Sequence, residues 1–370
     1  MTKTSRAAGA APAVSVLMAV YNGESHVQEA IDGILAQTFR DLEFVIVDDG
    51  STDDTRRILD GYRDSRIVRL HHPQNRGLIA ALNTGLAAAR GDLVARQDAD
   101  DVSFPDRLQA QVDFLGSRPD VGLLGSGSVF EAEVGGARKM RRVEEDPRRL
   151  AWILLFWCPL QHSSIMFRRK IIQDLGGYGK DDLFVEDFAL WSKVIRSSTV
   201  AIVPQVLITR RRPPESITAR YHVEMGRAAR RVSLDNLRWA SSASVSDEHL
   251  DALQAFVSNR TLSLPDALAL DSRGVRSTAV RVLDGFWSRM GFGPGDHAEF
   301  RKWALGWMGG ALLKRSHKLL AKSTTATGPE KREGAKLARA LALDAVRMSP
   351  GVLSSRLGAS VALRALMSRA

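Results

Sequence analysis

The sequence is nearly free of cysteine, since Cys158 is the only one in 370 residues. This excludes an intrachain disulfide framework and is typical of a reducing compartment. A long apolar run is also missing, because the most apolar stretch, residues 151–160, falls short of the ~20 residues that a membrane-spanning helix needs. No G-x-G-x-x-G follows the first predicted strand, which argues against a dinucleotide-binding dehydrogenase.

The N-terminus lacks the apolar core of a signal peptide. Residues 1–13 are rich in alanine and contain no leucine, so we predict a disordered leader. Together with the scarcity of cysteine, this predicts a cytoplasmic protein.

The net charge of +10 lies almost entirely in the C-terminal part of the chain. Residues 301–370 hold 14 Lys/Arg and 3 Asp/Glu, whereas the first 300 residues hold 38 and 39. A basic region of this kind attracts anionic membrane surfaces or polymers, and the alternative is a solvated face of ordinary helices. Trp303 and Trp307 share one predicted helical face with basic residues on either side, a pattern found in helices that lie on membranes. For residues 217–370 we therefore predict a helical region for acceptor binding, oligomerisation or peripheral docking at the inner face of the cell membrane.

Apolar strands alternate with amphipathic helices from residue 14 onward. Strands are predicted at Val14–Ala19, Phe44–Val47, Ile67–Leu70 and from Leu93 onward, with a helix after each of the first three. This alternation predicts an α/β fold with a doubly wound, mostly parallel sheet flanked by helices. In such sheets ligands bind at the carboxyl ends of the strands.

Acidic residues follow two of these strands. Asp98 and Asp100 stand one residue apart after the fourth strand, with Asp101 beside them. Hard carboxylate oxygens suit Mn²⁺ or Mg²⁺, which also bind substrate phosphates. The alternative for a bare D-x-D is a solvated or helix-capping turn.

A nucleotide site is predicted after the first two strands. Asp49 can accept hydrogen bonds from a base edge, and Ala19, Tyr21 and Asn22 offer backbone groups and an aromatic ring to hold a base. The alternative for Asp48-Asp49-Gly50-Ser51 is a turn that leads into a helix cap, and we expect one of the two acids to serve that turn.

A general base is predicted at Glu186-Asp187, which opens a helix with Trp191 on its apolar side. The pair also suits a helix N-terminus, where the dipole favours negative charge, and spacing does not choose between the two roles.

Taken together, these sites resemble glycosyltransferase family 2, whose nucleotide-binding fold is called GT-A. The stretches that carry the resemblance occur in the family's order across residues 14–212. They are VSVLMAVYN (14–22), QTFRDLEFVIVDDGSTDDT (37–55), NRG (75–77), ARQDADDVSFPDRL (95–108), HSSIMFR (162–168), LGGY (175–178) and EDFALW (186–191). We therefore expect residues 14–216 to form a GT-A catalytic domain.

The resemblance implies an inverting glycosyltransferase in cell-envelope or exopolysaccharide synthesis. By it, Asp49 would contact the base, usually uracil, and Arg76 would lie near the nucleotide. Asp98 and Asp100 would bind the metal and the diphosphate. Asp187 would be the general base, with Glu186 as its nearest competitor.

The implied partners are a nucleotide-sugar donor and a glycan or lipid-linked acceptor. We predict no nucleic-acid partner, and a homo-oligomer is an open expectation.

Two departures from the family pattern are Ala19, where proline or threonine is commoner, and Thr209-Arg210-Arg211, where Tyr-Arg is often seen. We interpret His162 as structural and leave it out of the metal site.

Two alternatives remain, a catalytically inactive nucleotide-sugar-binding protein and a sugar nucleotidyltransferase. The second is expected to carry an early Gly-rich phosphate loop, which residues 19–25 lack.

Overall fold

The computed structural model describes residues 11–130, 144–211, 221–241, 245–258, 263–270, 272, 274–351 and 360. The chain divides into two compact units. The first comprises Met1–Leu150 and Cys158–Met225, and the second comprises Ala151–Trp157 and Gly226–Ala370. Residues 1–10 of the predicted leader and the predicted boundary at residue 216 lie outside the described residues.

The first four strands of the first unit are parallel, as the alternating pattern predicts. They are β1 (Val14–Val20), β2 (Leu42–Asp48), β3 (Ile67–His71) and β4 (Leu93–Asp98). The helices between them are α1 (Val27–Leu35), α2 (Thr55–Gly61) and α3 (Leu78–Ala88). Every residue of β1 and β2 is buried, which explains why both strands are nearly continuous apolar runs.

The second half of the sheet is mixed. Its elements are β5 (Val102–Ser103), α4 (Arg107–Ser117), β6 (Val121–Phe130), α5 (Pro147–Ile153), β7 (Met166–Arg168), α6 (Arg169–Asp174), α7 (Glu186–Val194) and β8 (Thr199–Arg210). The eight strands are ordered β3-β2-β1-β4-β7-β6-β8-β5. Strand β7 runs antiparallel to β4 and β6, and β5 runs antiparallel to β8. The α/β fold is thus confirmed, with a larger antiparallel share than the sequence indicated.

This topology gathers the functional residues at one edge of the sheet. β1 lies between β2 and β4, so the loops that follow these three strands leave the sheet side by side. The pairing of Val102 with Thr209 brings the end of β8 to the turn after β4. Residues about 110 positions apart in sequence therefore become neighbours.

The second unit is helical. Its helices are α8 (His222–Ala240, which begins four residues before the unit boundary), α9 (Asp247–Ser258), α10 (Leu264–Leu268), α11 (Val275–Met290), α12 (His297–Thr325) and α13 (Gly328–Met348). Its core includes residues 151–157, because the Trp152 ring lies 5.3 Å from Phe286 and 6.3 Å from Phe300. Within the described residues, no helix combines the length and the apolar character that crossing a membrane requires.

Candidate functional site

An acidic cluster forms where β4 ends. Asp98 is the last residue of β4, and β5 starts four residues later, so the tight turn between them turns three carboxylates toward one point. One oxygen from each of Asp98, Asp100 and Asp101 lies within 4.8 Å of the others. The structure therefore brings together the two residues predicted for metal binding and adds Asp101 to them.

The charges around this cluster are unevenly compensated. Burial is the largest influence on Asp98 and opposes its ionisation, but the Arg96 guanidinium 2.7 Å away, together with the charge of Arg210 and the Ser163 hydroxyl, lowers the pKa of Asp98. Burial, followed by the charges of its two acidic neighbours, raises the pKa of Asp101 to about 7. Burial and the charge of Asp98 also raise the pKa of Asp100. A divalent cation would relieve this repulsion, and three hard oxygen donors are the ligands that Mn²⁺ or Mg²⁺ prefers, so the residues fit the predicted metal.

A buried arginine braces the strand that carries the cluster. The Arg107 guanidinium is inaccessible to solvent and donates hydrogen bonds to the Gln97 side chain at 2.9 Å, the Ser103 hydroxyl at 2.8 Å and the Arg96 carbonyl at 2.7 Å. Sequence reasoning assigned no role to Arg107, although it stands in one of the motifs above. Its contacts fix β4 and the turn after it, so Arg107 holds the acidic cluster in place.

The loop after β1 is tied to the loop after β2. Asn22 adopts a positive φ of 50°, and its Oδ1 accepts a hydrogen bond from the Thr52 backbone at 2.8 Å. The Asn22 N–H in turn donates to the Ser51 hydroxyl at 3.0 Å. Ala19 is nearly buried at the end of β1, whereas Tyr21 is 48% exposed. Of the three predicted nucleotide contacts at the end of β1 and in the loop after it, Tyr21 offers an exposed surface, and Asn22 shapes the backbone.

The two adjacent acids at the end of β2, Asp48 and Asp49, have different partners. Asp48 Oδ1 accepts a hydrogen bond from the Ser51 backbone at 3.0 Å, so it is the acid that serves the turn. Asp49 is buried and accepts from the backbone N–H groups of Arg76 at 3.0 Å and Gly77 at 2.8 Å. Asp49 thus organises the loop that carries Arg76, whose exposed guanidinium has no partner among the described residues. The predicted contact of Asp49 with a base stays a prediction.

Glu186 and Asp187 form the first turn of α7. Burial, with the neighbouring Asp187 charge, raises the pKa of Glu186 to about 7. Burial also raises the pKa of Asp187 to about 6, and the charge of Asp98 adds to this rise. Asp187 Oδ1 accepts from the Phe188 N–H at 2.6 Å, and neither acid occupies the N-cap position, which belongs to Val185. The pair therefore lies within electrostatic reach of the acidic cluster and is not a simple helix cap.

His162 belongs to an aromatic group. Its Nε2 lies 3.0 Å from the Tyr178 hydroxyl, and its ring lies 6.0 Å from that of Trp191. Burial, then the Arg96 charge, lowers the pKa of His162 to about 3. A neutral histidine in these surroundings agrees with the structural interpretation, and among the described residues the acidic cluster does not include it.

Two arginines at the end of β8 reach the acidic cluster, and sequence reasoning missed them. Arg210 Nε lies 3.7 Å from Asp101 Oδ2, and the Arg211 N–H donates to Asp101 Oδ1 at 3.1 Å. The Arg210 guanidinium also stacks over the Phe130 ring at 5.1 Å. The only sequence signal was the departure at Thr209-Arg210-Arg211, and the β5–β8 pairing that gives it meaning is not visible in the sequence.

Comparison with known proteins points in one direction. The profile of the family described as Glycosyl transferase family 2 matches residues 15–176. EpsE of Bacillus subtilis is 38% identical over 187 residues, which cover 49% of this chain and 66% of EpsE. An uncharacterised glycosyltransferase of Haemophilus influenzae is 31% identical over 58% of this chain and 81% of its own length. The amylovoran biosynthesis glycosyltransferase AmsE of Erwinia amylovora is 28% identical over 56% of this chain and 79% of AmsE. The chain thus spans part of the length of each relative.

A solved structure shares the fold. TarS of S. aureus, residues 1–349 in complex with UDP-GlcNAc, superposes with a TM-score of 0.50 at 15% identity, over 90% of this chain and 91% of that one. At this identity the likeness concerns the fold alone.

Proposed function

The chain belongs to glycosyltransferase family 2, and from this premise we propose that it transfers a sugar from a UDP-sugar to an acceptor hydroxyl in the synthesis of a cell-envelope glycan or exopolysaccharide. The observation that carries the proposal is the acidic cluster of Asp98, Asp100 and Asp101 with a second acidic pair, Glu186-Asp187, in electrostatic reach of it. The first suits a metal–diphosphate complex, and the second suits proton removal.

In this proposal the donor diphosphate lies at the acidic cluster. Asp98 and Asp100, with Asp101 beside them, would hold Mn²⁺ or Mg²⁺. When bound, such a cation supplies positive charge that stabilises the departing diphosphate. Arg210 adds a fixed positive charge at the same place, 3.7 Å from Asp101.

The acceptor reacts in a single displacement. Asp187, or its neighbour Glu186, takes the proton of the acceptor hydroxyl as that oxygen attacks the anomeric carbon of the sugar. The bond from the sugar to the phosphate oxygen breaks, and the nucleoside diphosphate leaves with the bonding electrons. Attack opposite to the leaving group inverts the configuration. A pKa of about 6 or 7 suits this role, because the carboxylate is ionised near neutral pH and more basic than an ordinary one.

The nucleotide is proposed to bind between the loops that follow β1, β2 and β3. Tyr21 offers an exposed ring for stacking against the base, and Arg76 offers an exposed cation. Asp49, with Ala19 and Asn22 in the neighbouring loop, completes the predicted set. AmsE, named as an amylovoran biosynthesis glycosyltransferase, supports an acceptor in glycan synthesis, and a lipid-linked acceptor is part of the same proposal.

For residues 217–370, acceptor binding, oligomerisation and docking on the inner face of the membrane stay predictions, as does the cytoplasmic location. The half-buried Trp303 and Trp307 rings, 6.4 Å apart on α12, would suit stacking against a sugar or contact with lipid.

The test is a donor screen with the purified full chain. We expect calorimetry to detect binding of one UDP-sugar in the presence of Mn²⁺ or Mg²⁺, and nucleotide release to accelerate when acceptor glycans are added. Asp100→Ala should abolish metal-dependent binding. The matched control Asp60→Ala, which changes an exposed aspartate on α2, should bind as the wild type does. If no nucleotide sugar binds the wild type with metal present, the proposal is wrong.

A further inference from the structure

A buried histidine lies behind the proposed nucleotide site. His72 follows the last residue of β3 and is 8% exposed. Its Nδ1 lies 2.5 Å from Asp49 Oδ1, and its Nε2 lies 3.0 Å from the Thr84 hydroxyl on α3. Because an ionised carboxylate only accepts hydrogen bonds, Nδ1 carries the proton. Nε2 lies within hydrogen-bond distance of the Thr84 hydroxyl, so both ring nitrogens are used.

His72 and the 74–77 loop share the same carboxylate. Asp49 Oδ1 accepts from His72 and from the Arg76 N–H, and Asp49 Oδ2 accepts from the Gly77 N–H. An ionised carboxylate has about four acceptor positions, so the described residues fill three and leave one on Oδ2. The rotamer of Asp49 therefore decides both the path of the loop and the direction of the remaining lone pair.

The fit between the two loops is close. Gly50 has a φ of 74°, and a Cβ at this position would lie 2.5 Å from the Gln74 carbonyl carbon. The loop after β2 and the 74–77 loop thus touch backbone to backbone, with the hydrogen bonds of Asp49 beside this contact. A side chain that holds Asp49 in position therefore affects the conformation of both loops.

We propose that His72 is a positioning residue of the donor site: it links α3 to Asp49 and so keeps one carboxylate oxygen directed at an N–H donor of the nucleotide base. This inference rests on the proposed function, because it takes Asp49 to face the base. It concerns donor affinity and leaves the chemistry at Asp187 unchanged.

Two variants of His72 test the contacts of its two ring nitrogens separately. His72→Asn places an amide N–H near the Nδ1 position and keeps the bond to Asp49, whereas His72→Gln reaches toward Thr84 and loses that bond. We expect His72→Gln to raise the dissociation constant of UDP with Mn²⁺ about tenfold, as the loss of a charge-assisted hydrogen bond would. For His72→Asn we expect a rise of about threefold or less, and kcat should change less than about twofold in both.

The matched control is the adjacent histidine. His71 Nδ1 lies 3.1 Å from Asp48, the acid of the turn, so His71→Asn should leave UDP affinity unchanged. If His72→Gln does not fold, Thr84→Val removes the partner of Nε2 instead, with an expected loss of affinity of about threefold. Equal UDP affinity in wild type and a folded His72→Gln would overturn the inference and leave the proposed function standing.

A second readout needs no nucleotide. Amide hydrogen exchange at Arg76 and Gly77 should become faster in His72→Gln than in His71→Asn, because both amides donate to Asp49. If the wild type fails to bind UDP, the proposed function falls and this inference with it. Unchanged exchange at the two amides would overturn the positioning role by itself.

Discussion

Two groups of carboxylates at the same edge of the sheet are treated very differently by the fold. Asp48 and Asp49, at the end of β2, accept hydrogen bonds from backbone amides and from histidines on β3 or next to it. Around Asp100 and the Glu186-Asp187 pair, burial and like charges dominate, and their pKa values are raised. The acids that shape the chain are held by backbone donors, whereas the net effect of burial and like charge raises the pKa values of Asp100, Glu186 and Asp187, where a cation or a proton is to arrive.

The contrast teaches how to separate structural acids from chemical ones. A carboxylate whose lone pairs are filled by backbone N–H groups fixes a loop, and its removal changes geometry. A carboxylate crowded by other acids stores electrostatic repulsion, and such perturbed groups concentrate at functional sites. Asp49 stands between the two classes, because it shapes the 74–77 loop and the donors in the described part of the chain leave one of its acceptor positions unfilled.

The largest expected effect comes from the acidic pair on α7. Asp187→Asn should lower kcat by about 10²–10⁴-fold, because the acceptor loses its general base. Donor affinity, measured by calorimetry, should stay within about twofold of the wild type. Glu186→Gln is the matched variant and should cost less. A larger loss of kcat for Glu186→Gln than for Asp187→Asn would mean that Glu186, and not Asp187, is the general base.

The pH dependence of kcat/KM tests the same acidic pair, Glu186-Asp187, and we expect a smaller effect from it. The raised pKa values mean that Asp187 and Glu186 take up protons at higher pH than ordinary acids, and only the ionised form accepts the acceptor's proton. We expect kcat/KM to fall about tenfold per pH unit below an inflection at or under about pH 6–7 and to be level above it. A bound cation moves the inflection downward. A profile that is flat from pH 4 to 8 would contradict a carboxylate base.

The smallest expected effect comes from Gly50, in the loop after β2. Gly50→Ala forces a side chain into the left-handed region and against the Gln74 backbone, so it should destabilise the protein by about 1–3 kcal/mol. Gly61→Ala is the control, since nothing lies within 4 Å of its added Cβ and its φ is not positive. Thermal denaturation of both variants measures the difference. Equal melting temperatures would mean that the two loops adjust to each other freely.

Much of the sheet could be predicted, because buried strands require apolar residues and this leaves a recognisable apolar pattern in the sequence. β1 and β2 are apolar apart from Ser15, Glu43 and Asp48, so the predicted bounds of both strands are confirmed within two residues, and the helix after β1 shows a clear apolar face. β5 escaped prediction because two residues carry no periodicity. β7, which follows a 3₁₀ turn at His162–Ser164, is nearly as short, and a three-residue strand has no pattern of its own.

The candidate site could likewise be predicted only in part. The D-x-D and Glu186-Asp187 are local motifs, and their position at element ends can be read from the sequence. The partners of those acids cannot, because Arg211 contacts Asp101 across 110 residues and His72 contacts Asp49 across 23. Such contacts depend on strand order, which the alternation of elements leaves open once antiparallel strands enter the sheet.

The discontinuous second unit has a consequence for synthesis on the ribosome. Trp152 packs against Phe286, which follows it by 134 residues. At roughly 5–20 residues per second, the aromatic segment 151–157 waits on the order of ten seconds for this partner to be made. During that interval the nascent chain carries an apolar segment without its core. This segment is therefore where we expect a chaperone to engage the emerging chain, and where a stalled or truncated product would begin to aggregate.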